Sequence, residues 1–299
     1  MSSSSRRAIA VGLALLCCVV PGSAAAQASK KVYISVDLEG ISGVNGPHQT
    51  SNTGSEYGRA RRLMVEDANA AVRGAFAGGA TVVVVNDAHG GQRNLLPEDL
   101  DPRAQLISHS FKRHGMMEGL DETFDAVVFV GYHAKAGSPR GVFAHTGSGR
   151  VADLTVNGVS VGEGGMNALL AQWYGVPVIV VTGDDVAIAE QRTTVPDVLG
   201  VEVKRAINSR AVVLRPLADT RREIESAVRE RVASARRGPP QRAAQYVVRL
   251  TYQDPAYVEI GTAFQEVRAV GPATVEFTRA SMPEAYRLIR VLYRFVSAD

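Results

Sequence analysis

Two carboxylates stand two residues apart directly after a short apolar segment. Asp37 and Glu39 follow the run over residues 32–36, which is β-branched and aromatic and predicts a buried strand. Side chains two residues apart on an extended segment point to the same side. The pair therefore presents two carboxylates to one location.

Histidines follow two further apolar runs. His89 comes shortly after the run over residues 81–85, and His133 comes shortly after the run over residues 126–130, in a chain with only six histidines. In open α/β sheets ligands bind outside the carboxyl ends of the strands, so we expect these side chains to share one edge. A strand-end carboxylate alone is usually a cap, and a lone histidine is usually exposed or hydrogen-bonded. The prediction of a shared site therefore depends on all of these carboxylates and histidines together, and no single residue supports it alone.

The donor set favours zinc. Zinc binds both imidazole nitrogen and carboxylate oxygen. The two carboxylates and two histidines offer more ligand atoms than one tetrahedral ion needs, because each carboxylate has two oxygens, and such a set suits a pair of metals about 3.5–4 Å apart, as in two-metal hydrolases.

The elements that must position these residues alternate along the chain. Apolar strands over residues 32–36, 81–85, 126–130 and 176–181 alternate with helices over residues 56–77 and 164–173. Such alternation predicts the α/β class, with a mostly parallel sheet flanked by helices on both faces.

The pattern changes after residue 216. A charged amphipathic helix over residues 219–236 is followed by segments of alternating polarity over residues 246–252 and 274–278 and by a last helix. We therefore predict a catalytic α/β domain over residues 29–216 and a smaller α+β domain over residues 217–299.

The first 28 residues have the layout of a secretory signal peptide. Arg6 and Arg7 precede an apolar run over residues 8–20, and a small-residue stretch with A-x-A positions follows. The run is too short for a permanent membrane span. We expect a cleaved, periplasmic protein without a membrane anchor.

Removal of this segment changes the composition of the chain. Cys17 and Cys18 both lie in it, so the mature protein has neither disulfide nor thiolate chemistry. The formal net charge of +3 falls to +1 without Arg6 and Arg7. A nearly neutral chain gives no electrostatic case for a nucleic-acid partner.

Five sequence blocks resemble those of the DppA-type D-aminopeptidase family, the dipeptide-transport-type zinc metallopeptidases. The blocks are SVDLEGISG at 35–43, VVNDAHG at 84–90, GYHA at 131–134, VFAHT at 142–146 and NGVSVGEGGMNA at 157–168. They occur in the family's order, and the resemblance extends from about residue 31 to the last helix.

The resemblance implies a metallo-aminopeptidase with two Zn2+ ions per chain. On the matching positions, Asp37 would bridge both metals. Glu39 and His133 would bind the first zinc, and His89 and Glu163 would bind the second.

The resemblance also implies a catalytic residue and an assembly. His145 would stand beside the metals, as an acid/base or as a nucleophile, and we favour the acid/base role. The chain would form a homo-oligomer such as a decamer, with its sites facing an internal cavity. Glu163 and His145 come from the match alone, because spacing does not single them out.

The expected function is hydrolysis of short peptides by water activated by two metals. The substrates implied by the resemblance have N-terminal D-amino acids, such as D-Ala-D-Ala. Two alternatives stay open: a periplasmic peptide-binding protein of a transport system, and a hydrolase of non-peptide amides on the same fold. A binding protein needs a deep cleft between two similar lobes rather than metal ligands at one sheet edge.

Overall fold

The structure is a computed structural model, and it describes residues 29–295 of the 299-residue chain. The predicted signal peptide over residues 1–28 lies outside this range. Within it, the strands are β1 (Lys31–Val36), β2 (Val82–Asp87), β3 (Gln105–Ile107), β4 (Ala126–Tyr132), β5 (Val151–Val156), β6 (Val159–Ser160), β7 (Val178–Asp184), β8 (Leu199–Ala206), β9 (Val212–Leu214), β10 (Tyr246–Tyr252), β11 (Arg268–Gly271) and β12 (Thr274–Arg279). The helices are α1 (Pro47–Thr50), α2 (Tyr57–Ala77), α3 (Glu163–Trp173), α4 (Asp185–Thr194), α5 (Leu217–Ser234), α6 (Tyr257–Thr262) and α7 (Met282–Phe295), with a 3₁₀ turn at Gly115–Met117.

Seven strands form the central sheet, in the order β3-β2-β1-β4-β7-β8-β9. All neighbours are parallel except β8 and β9. The predicted apolar runs become strands that are buried on both faces, as β4 is along its whole length. The mostly parallel α/β fold is therefore confirmed.

The chain reverses its direction of winding at the centre of this sheet. It runs from β1 to β2 and β3 on one side, and it then returns to place β4 on the other side of β1. Such a switch point leaves a crevice at the carboxyl ends of the two central strands, which is where ligands bind in open α/β sheets.

Helices cover both faces of the central sheet. On one face α2 packs against α5, and the apolar stripe of α5 joins the core formed by α2 and the strands. On the other face α3 packs against α4 and α7. The helices predicted over residues 56–77 and 164–173 are confirmed as α2 and α3.

A second sheet is antiparallel, in the order β11-β12-β10-β5-β6. Residues along β10 alternate between buried and more accessible positions, as the polarity pattern predicts. This sheet takes β5 and β6 from residues before 216, and α5 packs on the central sheet. The predicted limits 29–216 and 217–299 are therefore not the limits of the two sheets, and separate domains stay a prediction.

In the stretch from residue 29 to residue 295, none of the helices combines the length and apolar character that a bilayer crossing requires.

Candidate metal centre

The carboxyl ends of β1, β2 and β4 meet at the switch point. Val36 pairs with Asp87 of β2 and with Val130 of β4, so the residues after these strands become neighbours. The loop after β1 lies directly against β4, and the N–H of Gly40 donates to the carbonyl of Gly131 over 2.8 Å. A Cβ at Gly40 would lie 2.0 Å from the carbonyl oxygen of Tyr132, so only glycine permits this approach.

Asp37 lies between two histidines. Its Oδ1 is 3.4 Å from Nδ1 of His89, and its Oδ2 is 3.4 Å from Nε2 of His133. Two ligand atoms at about 2.0–2.1 Å from a tetrahedral zinc ion are about 3.3–3.4 Å apart. The two distances therefore fit metal ligation on both sides of the Asp37 carboxylate, which is only 2% exposed.

Two further carboxylates complete the cluster. Oε2 of Glu39 is 2.9 Å from Nδ1 of His89. Glu163, in the first turn of α3, places Oε2 3.3 Å from His133 Nε2 and Oε1 3.4 Å from His145 Nε2. All six predicted site residues therefore converge at one edge of the sheet.

Two sets of three residues have ligand atoms that all lie within 4.8 Å of one another. One set is Asp37, Glu39 and His133, and the other is His133, His145 and Glu163. His145 was predicted as a catalytic residue beside the metals, and the structure brings it into the cluster. Its ring stacks on that of His133, with centroids 4.1 Å apart.

Each histidine is held by a backbone carbonyl on the side away from the carboxylates. The ring nitrogens of His89, His133 and His145 lie 2.8, 2.9 and 2.8 Å from the carbonyl oxygens of Thr50, Ala134 and Phe143. A carbonyl accepts only from an N–H, so in a neutral ring the other nitrogen carries the lone pair. That lone pair faces carboxylate oxygens, and this is the orientation that metal-binding histidines have.

Two buried atoms of the cluster lack a hydrogen-bond partner, namely Oδ2 of Asp37 and Nε2 of His133. Two electron-rich atoms that face each other in a buried site require a positive charge between them, since water is excluded. A metal ion or a proton supplies that charge, so the residues fit a bound metal.

The shifted pKa values of the cluster indicate the same need for positive charge. Burial raises the pKa of Asp37 to about 7, and the charge of Glu39 acts in the same direction. Burial also opposes ionisation of Glu163, but the charges of His133 and His145 outweigh it and lower its pKa to about 2. Burial lowers the pKa of His133, whereas Glu163 and Asp37 outweigh burial and raise it to about 10. The carboxylates thus depend on neighbouring positive charge.

The neighbouring polar residues have structural contacts. Asp87 accepts hydrogen bonds from the backbone N–H groups of Asn94 and Leu95, so it fixes the turn after β2. Asp184 accepts from the N–H groups of Val186 and Ala187, so it caps the start of α4. His114 packs edge-on against Tyr286.

Sequence reasoning missed Lys204, which supports the loop that carries Glu39. It is fully buried in β8, and its ammonium donates to the carbonyls of Glu39, Ile41 and Val44. Burial lowers its pKa to about 8. Its strand reads LGVEVKRA, and a lysine among other charged residues gave no sign that its ammonium points inward.

Comparisons with known proteins cover this whole region. The peptidase M55 family, described as D-aminopeptidase, matches residues 30–291. A D-aminopeptidase of Bacillus subtilis (strain 168) is 37% identical over 268 residues, which are 88% of this chain and 96% of the relative. A solved structure, the "Zn-dependent D-aminopeptidase DppA from Bacillus subtilis, a self-compartmentalizing protease", is similar with a TM-score of 0.83 at 34% identity, over 90% of this chain and 98% of that chain.

Proposed function

Because this chain belongs to the D-aminopeptidase family and is therefore a metallo-aminopeptidase, we propose that it removes N-terminal D-residues from short peptides such as D-alanyl-D-alanine. The proposed site holds two zinc ions. The observation that supports it best is the position of Asp37, whose two oxygens face two different histidines.

The metal ligands proposed for the two ions share Asp37 as the bridge. Glu39 and His133 bind the first ion together with Asp37, and these three residues have mutually close ligand atoms. The second ion takes His89 and Glu163, a pairing that rests on the resemblance. Bound zinc lowers the pKa of water and polarises a carbonyl group, which is the chemistry that amide hydrolysis needs.

His145 is proposed as the acid/base residue. Its side chain is 29% exposed, whereas that of His133 is 2% exposed, so His145 reaches the open side of the site. The Phe143 carbonyl fixes Nδ1, which leaves Nε2 to accept or donate a proton at the reacting amide.

Location and assembly are parts of the same proposal. The predicted signal peptide supports export to the periplasm, where cell-wall turnover supplies peptides with D-alanine. The relative described as self-compartmentalizing supports a homo-oligomer, with the decamer as the proposed size.

The test compares matched dipeptides on the purified protein with added zinc. We expect hydrolysis of D-alanyl-D-alanine, slower hydrolysis of L-alanyl-L-alanine, and about two zinc ions per chain by elemental analysis. A preference for the L-dipeptide would exclude the proposed substrate. A protein that binds the dipeptide without zinc and without cleavage would instead be a transport-type binding protein.

A further inference from the structure

A cavity of about 790 Å³ lies beside the candidate metal centre. Its apolar wall comes from Phe111, Val291 and Tyr293. Its polar wall carries a group of cationic side chains, Lys112, Arg113, Arg287, Arg290 and Arg294. The mechanism above uses none of these residues.

Two segments connect this cavity to the metal centre. Gly90 lines the cavity and directly follows His89 in the chain. Gly147 also lines it, and the N–H of Gly147 donates to Oε1 of Glu163. The ring of Tyr293 packs against Gly147, where a Cβ would lie 2.6 Å from the ring. The cavity wall is thus in direct contact with the residue that binds Glu163.

Backbone contacts rather than a carboxylate hold Arg290 in place. Arg290 is 7% exposed and donates to the backbone carbonyls of Lys112 and Arg113, which ties α7 to the loop before the 3₁₀ turn. Within residues 29–295, no carboxylate lies within 4.0 Å of Arg290, Arg113 or Arg287. Arg113 and Arg287 are exposed, so their guanidinium groups are available to a ligand.

An anion is the ligand that this arrangement suits. Several positive charges around one cavity create an attractive potential for negative charge, and low-dielectric walls focus it. A guanidinium group matches a carboxylate with two parallel hydrogen bonds. The apolar wall accommodates the small side chain next to such a carboxylate.

We propose that this cavity binds the C-terminal carboxylate of a short peptide whose N-terminal residue lies at the metal centre, and that Arg113 and Arg287 contact that carboxylate. The inference rests on the proposed function, because it needs an aminopeptidase reaction at that centre. An extended dipeptide is only about 7 Å long. A carboxylate site at a set distance from the reacting amide therefore selects peptides of the length that spans it, independently of any enclosing assembly.

The experiment uses the zinc-loaded protein with D-alanyl-D-alanine and its C-terminal amide. The two substrates share the reacting bond and differ in the terminal charge. We expect the wild type to prefer the free acid by about tenfold in kcat/KM, the size of one charge-assisted hydrogen bond. In the double variant Arg113→Gln/Arg287→Gln, KM for the acid should rise, so that the preference for the acid over the amide in kcat/KM falls below about twofold. A preference of that size needs no specific contact. The kcat of the double variant and its activity on the amide should stay unchanged.

A control is Arg62→Gln, which removes one positive charge, against two in the double variant, from an exposed position on α2 outside the cavity. It should behave as the wild type does. A double variant that keeps the preference for the acid, or that loses activity on acid and amide alike, overturns the inference and leaves the aminopeptidase proposal intact.

Absence of hydrolysis of both substrates by the wild type would instead reject the proposed function. In that case, calorimetric binding of D-alanyl-D-alanine still tests the cavity. Weaker binding of the dipeptide by the double variant than by the wild type and Arg62→Gln supports a carboxylate site, and equal binding excludes it.

Discussion

Asp37→Asn should weaken the binding of both zinc ions, so that dialysis removes them, while it leaves the shape of the side chain unchanged. The two oxygens of Asp37 lie 3.4 Å from nitrogens of His89 and His133, on opposite sides of the carboxylate. An asparagine keeps only one oxygen, and its NH₂ group cannot coordinate a metal. One site therefore loses a ligand atom, and both lose a negative charge.

The size of the effect follows from ligand linkage. Substitution of residues that hydrogen-bond to metal ligands already lowers metal affinity about 10–100-fold. Loss of a direct ligand should therefore lower the affinity at least about 100-fold, or by about 2.7 kcal/mol of binding free energy. With zinc at about 1,000 times its Kd, each site stabilises the wild type by about 4 kcal/mol, and about 2.7 of this is lost per site. At about 2–4 °C per kcal/mol, Tm in zinc should fall by about 10–20 °C.

Without zinc, the effect of Asp37→Asn on stability should change sign. Burial raises the pKa of Asp37 to about 7, from 3.8, so the folded protein holds this proton more tightly than the unfolded chain does. A raised carboxyl pKa destabilises the folded state as pH rises through that window, by at most about 4 kcal/mol. In chelator at pH 8, Asp37→Asn should therefore be at least as stable as the wild type.

Elemental analysis after dialysis and thermal melts with zinc or chelator provide the two readouts. Asp197→Asn removes the same charge at an exposed position and should match the wild type in both. Normal zinc content in Asp37→Asn would refute the bridging assignment. Retention of one zinc ion would make Asp37 a ligand of a single metal.

Other perturbations separate the remaining roles. Glu163→Gln should lose about one of the two zinc ions, because Glu163 is proposed as a ligand of only one; equal loss of both by elemental analysis would contradict this. His145→Ala should keep its zinc and lower kcat by about 10²–10⁴-fold, the usual contribution of an acid/base residue. Loss of zinc in that variant would make His145 a ligand. Burial lowers the pKa of Lys112 from 10.5 to about 8, so the unfolded state binds the proton more tightly between these values. Lys112 should therefore make the free energy of unfolding rise with pH across that window by at most about 3 kcal/mol. In urea titrations the difference in this free energy between the wild type and Lys112→Met should grow with pH by that amount, because the contribution of Lys204 is common to both. Light scattering should find a large homo-oligomer, and cell fractionation should find the processed protein in the periplasm.

Part of the site was accessible from the sequence because parallel strands end at one edge. Asp37, Glu39, His89 and His133 all follow apolar runs, and those runs became β1, β2 and β4. Local pattern was sufficient because the register of a parallel sheet aligns the strand ends. The confirmed α/β fold has the same origin.

Glu163 and His145 depend on folding at longer range. Glu163 begins a helix, where a carboxylate is favourable for the helix dipole alone, so its position gave no sign of a metal. The loop after β4 returns over the sheet edge, and the N–H of Gly147 then binds Glu163. Neither periodicity nor spacing encodes that return, and only the resemblance identified these two residues.

The packing of α5 also depended on tertiary structure. Its apolar stripe was visible in the sequence, but a stripe does not specify the surface that it covers. In the structure Ile224, Val228 and Val232 are buried with residues of α2 in the core on one face of the central sheet. The change of pattern after residue 216 therefore marks a change in strand type, but it does not coincide with the limits of the two sheets.

The charges around the centre argue for one orientation of a bound peptide. Asp37, Glu39 and Glu163 carry three buried negative charges, which the two zinc ions proposed there would outweigh with four positive ones, so the loaded centre favours electron-pair donors of the substrate. The neighbouring cavity carries positive charge from α7 and from the loop before the 3₁₀ turn. A free short peptide has an amino group at one end and a carboxylate at the other, and only the carboxylate is attracted by the cationic cavity. The reversed orientation would place the ammonium group of the peptide in the cationic cavity, which is why the N-terminal residue belongs at the metal centre.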